Sequence, residues 1–184
     1  ISEHSRSAGY ANGLSIDRVF EQQAEITKLN TQFPDISILK GIEVDILPDG
    51  SLDYPDEVLE TFDFVIASVH SRFKMPEAEM TERVIKAISH PTVTMLGHPT
   101  GRLLLSREGY ALDLKAVVDT CAETGTAIEL NAHPNRLDLD WHGCRYAQEK
   151  GVSIAINPDA HSLEGLEMIH YGVGIARKGW LRKE

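Results

Sequence analysis

Nothing in this 184-residue sequence approaches the ~20 consecutive apolar residues of a membrane-crossing helix, and the opening Ile1-Ser2-Glu3-His4 has neither the basic nor the apolar stretch of a secretory leader. These absences predict a cytoplasmic protein with no membrane partner. Cysteine is scarce: Cys121 and Cys144 lie too far apart for a zinc knuckle and fall in helical patterns, so they read as buried reduced thiols. Positive charge is outweighed, with 18 Lys and Arg against 28 Asp and Glu and a net charge of −10. That balance argues against broad, sequence-independent gripping of nucleic acid by this chain alone, because phosphate contacts need a basic face. Nucleic acid stays open as a substrate, since Arg6, Arg72, Lys74, Arg102, Arg107 and Arg136 all fall near expected strand ends and can form a local positive rim. The remaining composition, 42% hydrophobic and 25% charged, is that of one globular domain over residues 1–184.

Short apolar runs alternate with helical stretches at intervals of roughly 30 residues, a βα rhythm. Ser15 caps a helix over Ile16 to Phe33, with Val19, Phe20, Ile26, Leu29 and Phe33 as its apolar positions. Strands are expected at Ser37 to Asp45, Phe64 to Ser68, Thr92 to Leu96, Ala127 to Asn131 and Val152 to Asn157, and Ile1-Ser2-Glu3 reads as the end of another. Helices are expected near Pro55 to Glu60, from Thr81 to His90, from the cap Asp113 to Gly125, from Trp141 to Lys150 and over Leu163 to Arg177. Continuous apolar strands joined by helices build parallel sheets buried on both faces. The expected architecture is therefore an α/β barrel or an open parallel sheet, and either gathers ligands at the carboxyl ends of its strands.

Those ends carry metal-binding residue types. His4 follows Ile1-Ser2-Glu3, Glu43 ends Leu39-Lys40-Gly41-Ile42, His70 follows Val65 to Val69, His98 follows Val93 to Gly97, and Asp159 and His161 follow Val152 to Ile156. A single histidine at a strand end is more often a hydrogen-bonded structural residue than a ligand. Five strands with such residues at one end favour the metal reading, and the barrel over an open sheet, which concentrates its site at one switch point. Imidazole and carboxylate suit Zn²⁺, Mn²⁺ and Fe²⁺. Four histidines, one Glu and one Asp exceed the needs of one tetrahedral ion, so two or three ions are expected, a set suited to phosphoester hydrolysis. Arg6, Arg102 and Arg136 add weight to phosphate, each able to grip an oxygen bidentately or, equally, to cap a strand end. Asn131 reads as a residue that orients a ligand or contacts substrate, His133 as a substrate contact, and Asp45 as a residue that orients a ligand. His90, His142 and His170 read as surface residues.

Taken in order, Glu3-His4-Ser5, Gly41-Ile42-Glu43-Val44-Asp45, Ser68-Val69-His70-Ser71, Gly97-His98-Pro99-Thr100-Gly101-Arg102, Glu129-Leu130-Asn131-Ala132 and Asn157-Pro158-Asp159-Ala160-His161 resemble the PHP (polymerase and histidinol phosphatase) family. The likeness is greatest to the carboxyl-terminal PHP domain of bacterial family X DNA polymerases, whose last segment resembles Tyr171-Gly172-Val173 through Arg177-Lys178-Gly179-Trp180-Leu181. The resemblance implies a distorted (β/α)₇ TIM-like barrel and a cluster of up to three manganese or zinc ions that hydrolyses phosphoesters. It implies His4, Glu43, His70, His98, Asp159 and His161 as the metal ligands, with Asp159 and His161 closest to the chemistry. In the polymerase setting the implied activity is 3′→5′ exonuclease and 3′-end processing in DNA repair. The family's opening His-x-His strand and its nearby Asp are not in the sequence, which implies an amino-terminally incomplete barrel whose first strand unit and polymerase module are partners outside these residues. The family also contains small-molecule phosphatases of the histidinol-phosphate kind and non-catalytic modules that stabilise an attached polymerase.

Overall fold

Each apolar run becomes a parallel strand and each amphipathic stretch the helix that returns the chain to the same end of the sheet. The computed structural model describes residues 1–183. Its strands are β1 (Ser2–His4), β2 (Gly41–Asp45), β3 (Phe64–Ser68), β4 (Met95–Leu96), β5 (Ala127–Asn131) and β6 (Ile154–Asn157). Between and after them run α1 (Ile16–Gln32), α2 (Asp56–Leu59), α3 (Glu77–Ile88), α4 (Leu114–Thr124), α5 (Trp141–Glu149) and α6 (Ile169–Lys178). The strands pair in chain order, β1 to β6, without a reversal. A doubly wound sheet would switch direction part-way, whereas one-way winding curls the sheet toward closure. The curl brings the ring of His4, the last residue of β1, to 6.1 Å from that of His161, after β6. Among the described residues no backbone ladder joins β6 to β1, so the fold is an α/β, TIM-like half-barrel with one open seam.

The core lies between sheet and helices. Ile42, Val44, Val65, Ala67, Leu96, Ile128 and Leu130 are buried along the strands and meet Val19, Val84, Ile88, Val117 and Val118 from the helices. Ser15 accepts from Arg18 N and Asp113 from Ala116 N, as the sequence indicates, and Gly125 closes α4 at φ 76°. Both cysteines are free and buried, and burial pushes each thiol up to about 12.

Several boundaries differ from expectation for physical reasons. The strand expected from Ser37 starts at Gly41, because β1 is three residues long and its register begins at Ser2 opposite Gly41. Ile38 is instead held by the Asn30 side chain through both its N–H and its carbonyl. The third helix begins four residues before Thr81, after Pro76, with Glu77 and Glu79 at its positive end. On α1 the buried stripe is Val19, Gln23 and Ile26, which leaves Phe20 and Phe33 exposed. His142 and His170 are exposed as expected, whereas His90 is half-buried, its ring bonded to Thr92 Oγ1 and 3.3 Å from Asp56 Oδ1.

Candidate metal centre

One carboxylate organises the carboxyl ends of the strands. Glu43, in the middle of fully buried β2, receives His98 Nε2 at 3.0 Å and His70 Nε2 at 3.3 Å on Oε1, with His4 Nδ1 3.6 Å from Oε2. The registers His4 opposite Glu43 and Ile66 opposite Met95 place neighbouring strand ends level, so the three rings reach one point. His70 Nε2 and His98 Nε2 face each other at 3.2 Å. Ligand atoms of His4, Glu43 and His70 all lie within 4.8 Å of one another. His4 Nδ1 and His98 Nδ1 are buried without a hydrogen-bond partner. Converging imidazole nitrogens, a central carboxylate and orphaned ring nitrogens fit a divalent cation better than a hydrogen-bonded network, which would leave no buried nitrogen unpartnered.

The electrostatics follow from this packing. Burial works to raise the Glu43 carboxyl, but hydrogen bonds from His70 and His98 outweigh it and hold the group well below its ordinary value. Burial lowers His4 against the pull of Glu43. For His70 burial also works downward, yet Asp45 and Glu43 lift it to about 9. Asp45 is more than the helper expected from sequence: its Oδ1 accepts from His70 Nδ1 at 2.5 Å, its Oδ2 from Ser7 Oγ at 2.6 Å, and Ser7 N in turn donates to Asp53 Oδ2 at 2.7 Å. This chain puts the proton on Nδ1 and turns Nε2 toward Glu43, the way carboxylates orient metal-bound histidines.

A stability prediction arises from that pair. The raised His70 value contributes stability to the cation-free protein that is fully present below the unfolded value near 6.5 and is lost as pH rises through about 9. The shift corresponds to about 3 kcal/mol. Thermal melts in chelator at pH 6 and pH 9.5 should show this decline in wild type and a smaller one in Asp45→Asn. Equal declines in the two proteins would show that Asp45 does not hold the His70 proton.

Asp159 and His161 occupy the rim beyond β6. Asp159 has φ 51° and His98 φ 21°, left-handed backbone at the two strand ends where the chain turns sharply to present ligand-type side chains. Asp159 Oδ2 accepts from Asn131 Nδ2 at 3.0 Å and lies 3.5 Å from Arg136 Nε. His161 Nδ1 donates to the Asp159 carbonyl at 2.8 Å, and the side chain is largely exposed. Of the arginines, Arg136 therefore faces the centre. Arg102 donates to the carbonyls of Arg136 and Leu137, which supports Arg136's loop, and Arg6 is held by Asp53 at 3.3 Å. His133 Nδ1 accepts from Asn135 N within its own loop.

Glu129 is the buried group that sequence reasoning left without a role. Its Oε2 accepts from His98 N at 2.6 Å and its Oε1 from Asn157 Nδ2 at 3.0 Å. It thereby fixes the backbone that carries His98. The alternation Glu129, Asn131 on one face of β5 was the signal. Of these residues His4, Glu43, His98, Glu129, Asn157, Asp159 and His161 line a cavity of about 650 Å³, which β1 and the segment after β6 also border.

Known proteins place this arrangement. No family model matches the chain. It is 47% identical over 180 residues to the DNA polymerase/3′-5′ exonuclease PolX of Bacillus subtilis, a match covering 98% of this chain and 32% of that protein. It is 34% identical over 136 residues to a probable phosphatase of Thermoanaerobacter sp. strain X514, covering 68% of the chain and 53% of the relative. The chain thus spans about a third of the first relative and about half of the second. In structure it resembles the histidinol phosphate phosphatase of Lactococcus lactis, solved with zinc, L-histidinol and phosphate, at a TM-score of 0.54 and 16% identity over 92% of this chain and 76% of that one. The ordered strand-end motifs, the half-barrel that carries them and these likenesses agree: the chain belongs to the PHP family, in the form found in PolX.

Proposed function

We propose that this chain is a metal-dependent phosphoesterase domain that removes nucleotides from DNA 3′ ends, in cytoplasmic DNA repair alongside a polymerase module. The observation that carries the reading is the convergence of His4, His70 and His98, from three different strand ends, on the Glu43 carboxylate. These four, with Asp159 and His161, would hold two or three divalent ions, manganese or zinc foremost and Fe²⁺ also suited to the donors. Such ions, when bound, lower the pKa of water and neutralise charge on a phosphate. The chain's own residues hold and orient. Asp45 keeps His70 Nε2 turned inward, Glu129 fixes the His98 backbone, and Arg136 takes a phosphate oxygen while Arg102 steadies its loop. Asn131, fully buried, holds the Asp159 carboxylate in place, and His133 and Arg6 complete the substrate rim. The outer edges of β1 and β6, which carry no further strand among the described residues, are, in this reading, where a further parallel strand with additional ligands docks.

The 47% likeness to a protein named as a polymerase and 3′-5′ exonuclease favours DNA as substrate. The depth of the cavity favours a second reading, a small-molecule phosphatase of the histidinol-phosphate kind, because its volume suits a small ester. Single-stranded DNA labelled at its 5′ end and incubated with Mn²⁺ should shorten from its 3′ end, stop in chelator, and shorten at least 100-fold more slowly with Asp159→Ala. Equal shortening by wild type and Asp159→Ala would refute the site. Intact DNA beside rapid hydrolysis of histidinol phosphate would select the second reading.

Binding itself has an independent readout. At a cation concentration 100-fold above Kd, linkage stabilises the native state by about 2.7 kcal/mol, roughly 5–10 °C in Tm for a domain of this size. Melts with and without Mn²⁺ or Zn²⁺ measure it, and an unmoved Tm at saturating cation would sink the metal assignment.

A further inference from the structure

The loop after His4 carries one side chain that neither the core nor the ligand-type set uses. Tyr10 stands on a single 3-10 turn, Gly9–Ala11, and is 71% exposed. Its ring nonetheless lies edge-on to two site imidazoles, 5.9 Å from His4 and 6.0 Å from His70. A largely exposed aromatic set against two site imidazoles keeps a large apolar surface beside the proposed reacting position.

That placement is built rather than accidental. Ser5 N donates to the Glu43 carbonyl at 3.0 Å, Leu14 N to the His4 carbonyl at 2.9 Å, and Tyr54 Oη to the Leu14 carbonyl at 2.6 Å, so both feet of the loop are fixed. Ala8 is fully buried. Gly13 is required, because a Cβ there would fall 1.9 Å from the Ser5 carbonyl oxygen.

We propose that Tyr10 is a stacking platform that receives the planar base of the nucleotide whose phosphate is held over His4, Glu43 and His70. This rests on the phosphoesterase reading and narrows its substrates to esters that carry a flat ring close to the phosphate. Stacking on an aromatic face tolerates every base and gives affinity without sequence readout. It suits a chain of net charge −10, in which 28 acidic residues outweigh the 18 basic ones that could hold phosphates.

The test compares the Mn²⁺-loaded chain with Tyr10→Phe and Tyr10→Ala by titration calorimetry against thymidine 5′-monophosphate and inorganic phosphate. Wild type and Tyr10→Phe should bind the nucleotide at least about tenfold more tightly than phosphate, and Tyr10→Ala should lose that advantage, the effect of one stacked base. KM for a single-stranded oligonucleotide should rise about tenfold with Tyr10→Ala at unchanged kcat, while hydrolysis of glycerol 2-phosphate stays as it was. If wild type binds nucleotide and phosphate equally, or if Tyr10→Ala weakens both ligands alike, the platform is wrong; the second result would mean that Tyr10 only steadies His4 and His70. A chain that binds the nucleotide through Tyr10 but hydrolyses nothing would keep the platform and refute the phosphoesterase reading.

Discussion

Glu43→Gln is expected to lower divalent-cation affinity by more than about 100-fold and to extinguish phosphoester hydrolysis while leaving the fold intact. Groups that only orient a metal-bound side chain cost 10–100-fold when removed. Glu43 is more central than such a group, since His4, His70 and His98 all address its two oxygens. The amide fills the same buried space on β2, so no cavity opens. It carries no charge to attract a cation, and its NH₂ group adds a donor where imidazole nitrogens already converge. Metal content after dialysis against trace Mn²⁺ or Zn²⁺ gives the first measurement, and circular dichroism checks the fold. Wild-type metal content in Glu43→Gln would remove Glu43 from the ligand set and with it the proposed centre.

Arg83→Met should be the most damaging substitution away from the centre, costing about 3–5 kcal/mol, a fall in Tm on the order of 10 °C. Arg83 is 2% exposed on the inner face of α3 and has no carboxylate contact among the described residues. Its guanidinium instead donates to the carbonyls of Ile46 and Leu47, just past β2, and of Ser71, just past His70. Methionine replaces the stem and strands three carbonyls, each costing about 1–3 kcal/mol if left unsatisfied, less whatever water recovers. Because those carbonyls belong to the segments that follow Asp45 and His70, cation affinity should fall together with stability. A melt within 2 °C of wild type would show that water replaces the guanidinium at no cost.

The strand-end residues were legible because apolar runs of five or six residues have few alternatives to buried strands, and one-way βα winding brings every such end to the same rim. Their mutual geometry was not. Ser7, Asp45 and Asp53 form a hydrogen-bonded chain only because β1 and β2 pair with Ser2 opposite Gly41, a register no local pattern encodes. Arg83 sits among the buried Met80, Val84, Ala87 and Ile88, and its role was not legible in the sequence, because the carbonyls it bonds belong to loops outside the helix. Tyr10 lies in a segment with no periodicity, where only its position after a ligand-type strand end was a clue. The shortening of the expected strand Ser37 to Asp45 has the same origin, since a strand is as long as its partners allow.

The one-way order of the strands also sets when the centre can exist during synthesis. His4 leaves the ribosome before His161, which follows only after 156 intervening residues have been made. The early units, β1 through β4, can pair and fold as they emerge. Until β6 arrives to bring Asp159 and His161 to the rim, the nascent chain holds His4, Glu43, His70 and His98 without their remaining companions. A centre that draws ligand-type residues both from β1 and from beyond β6 can therefore be completed only after the last strand has been made.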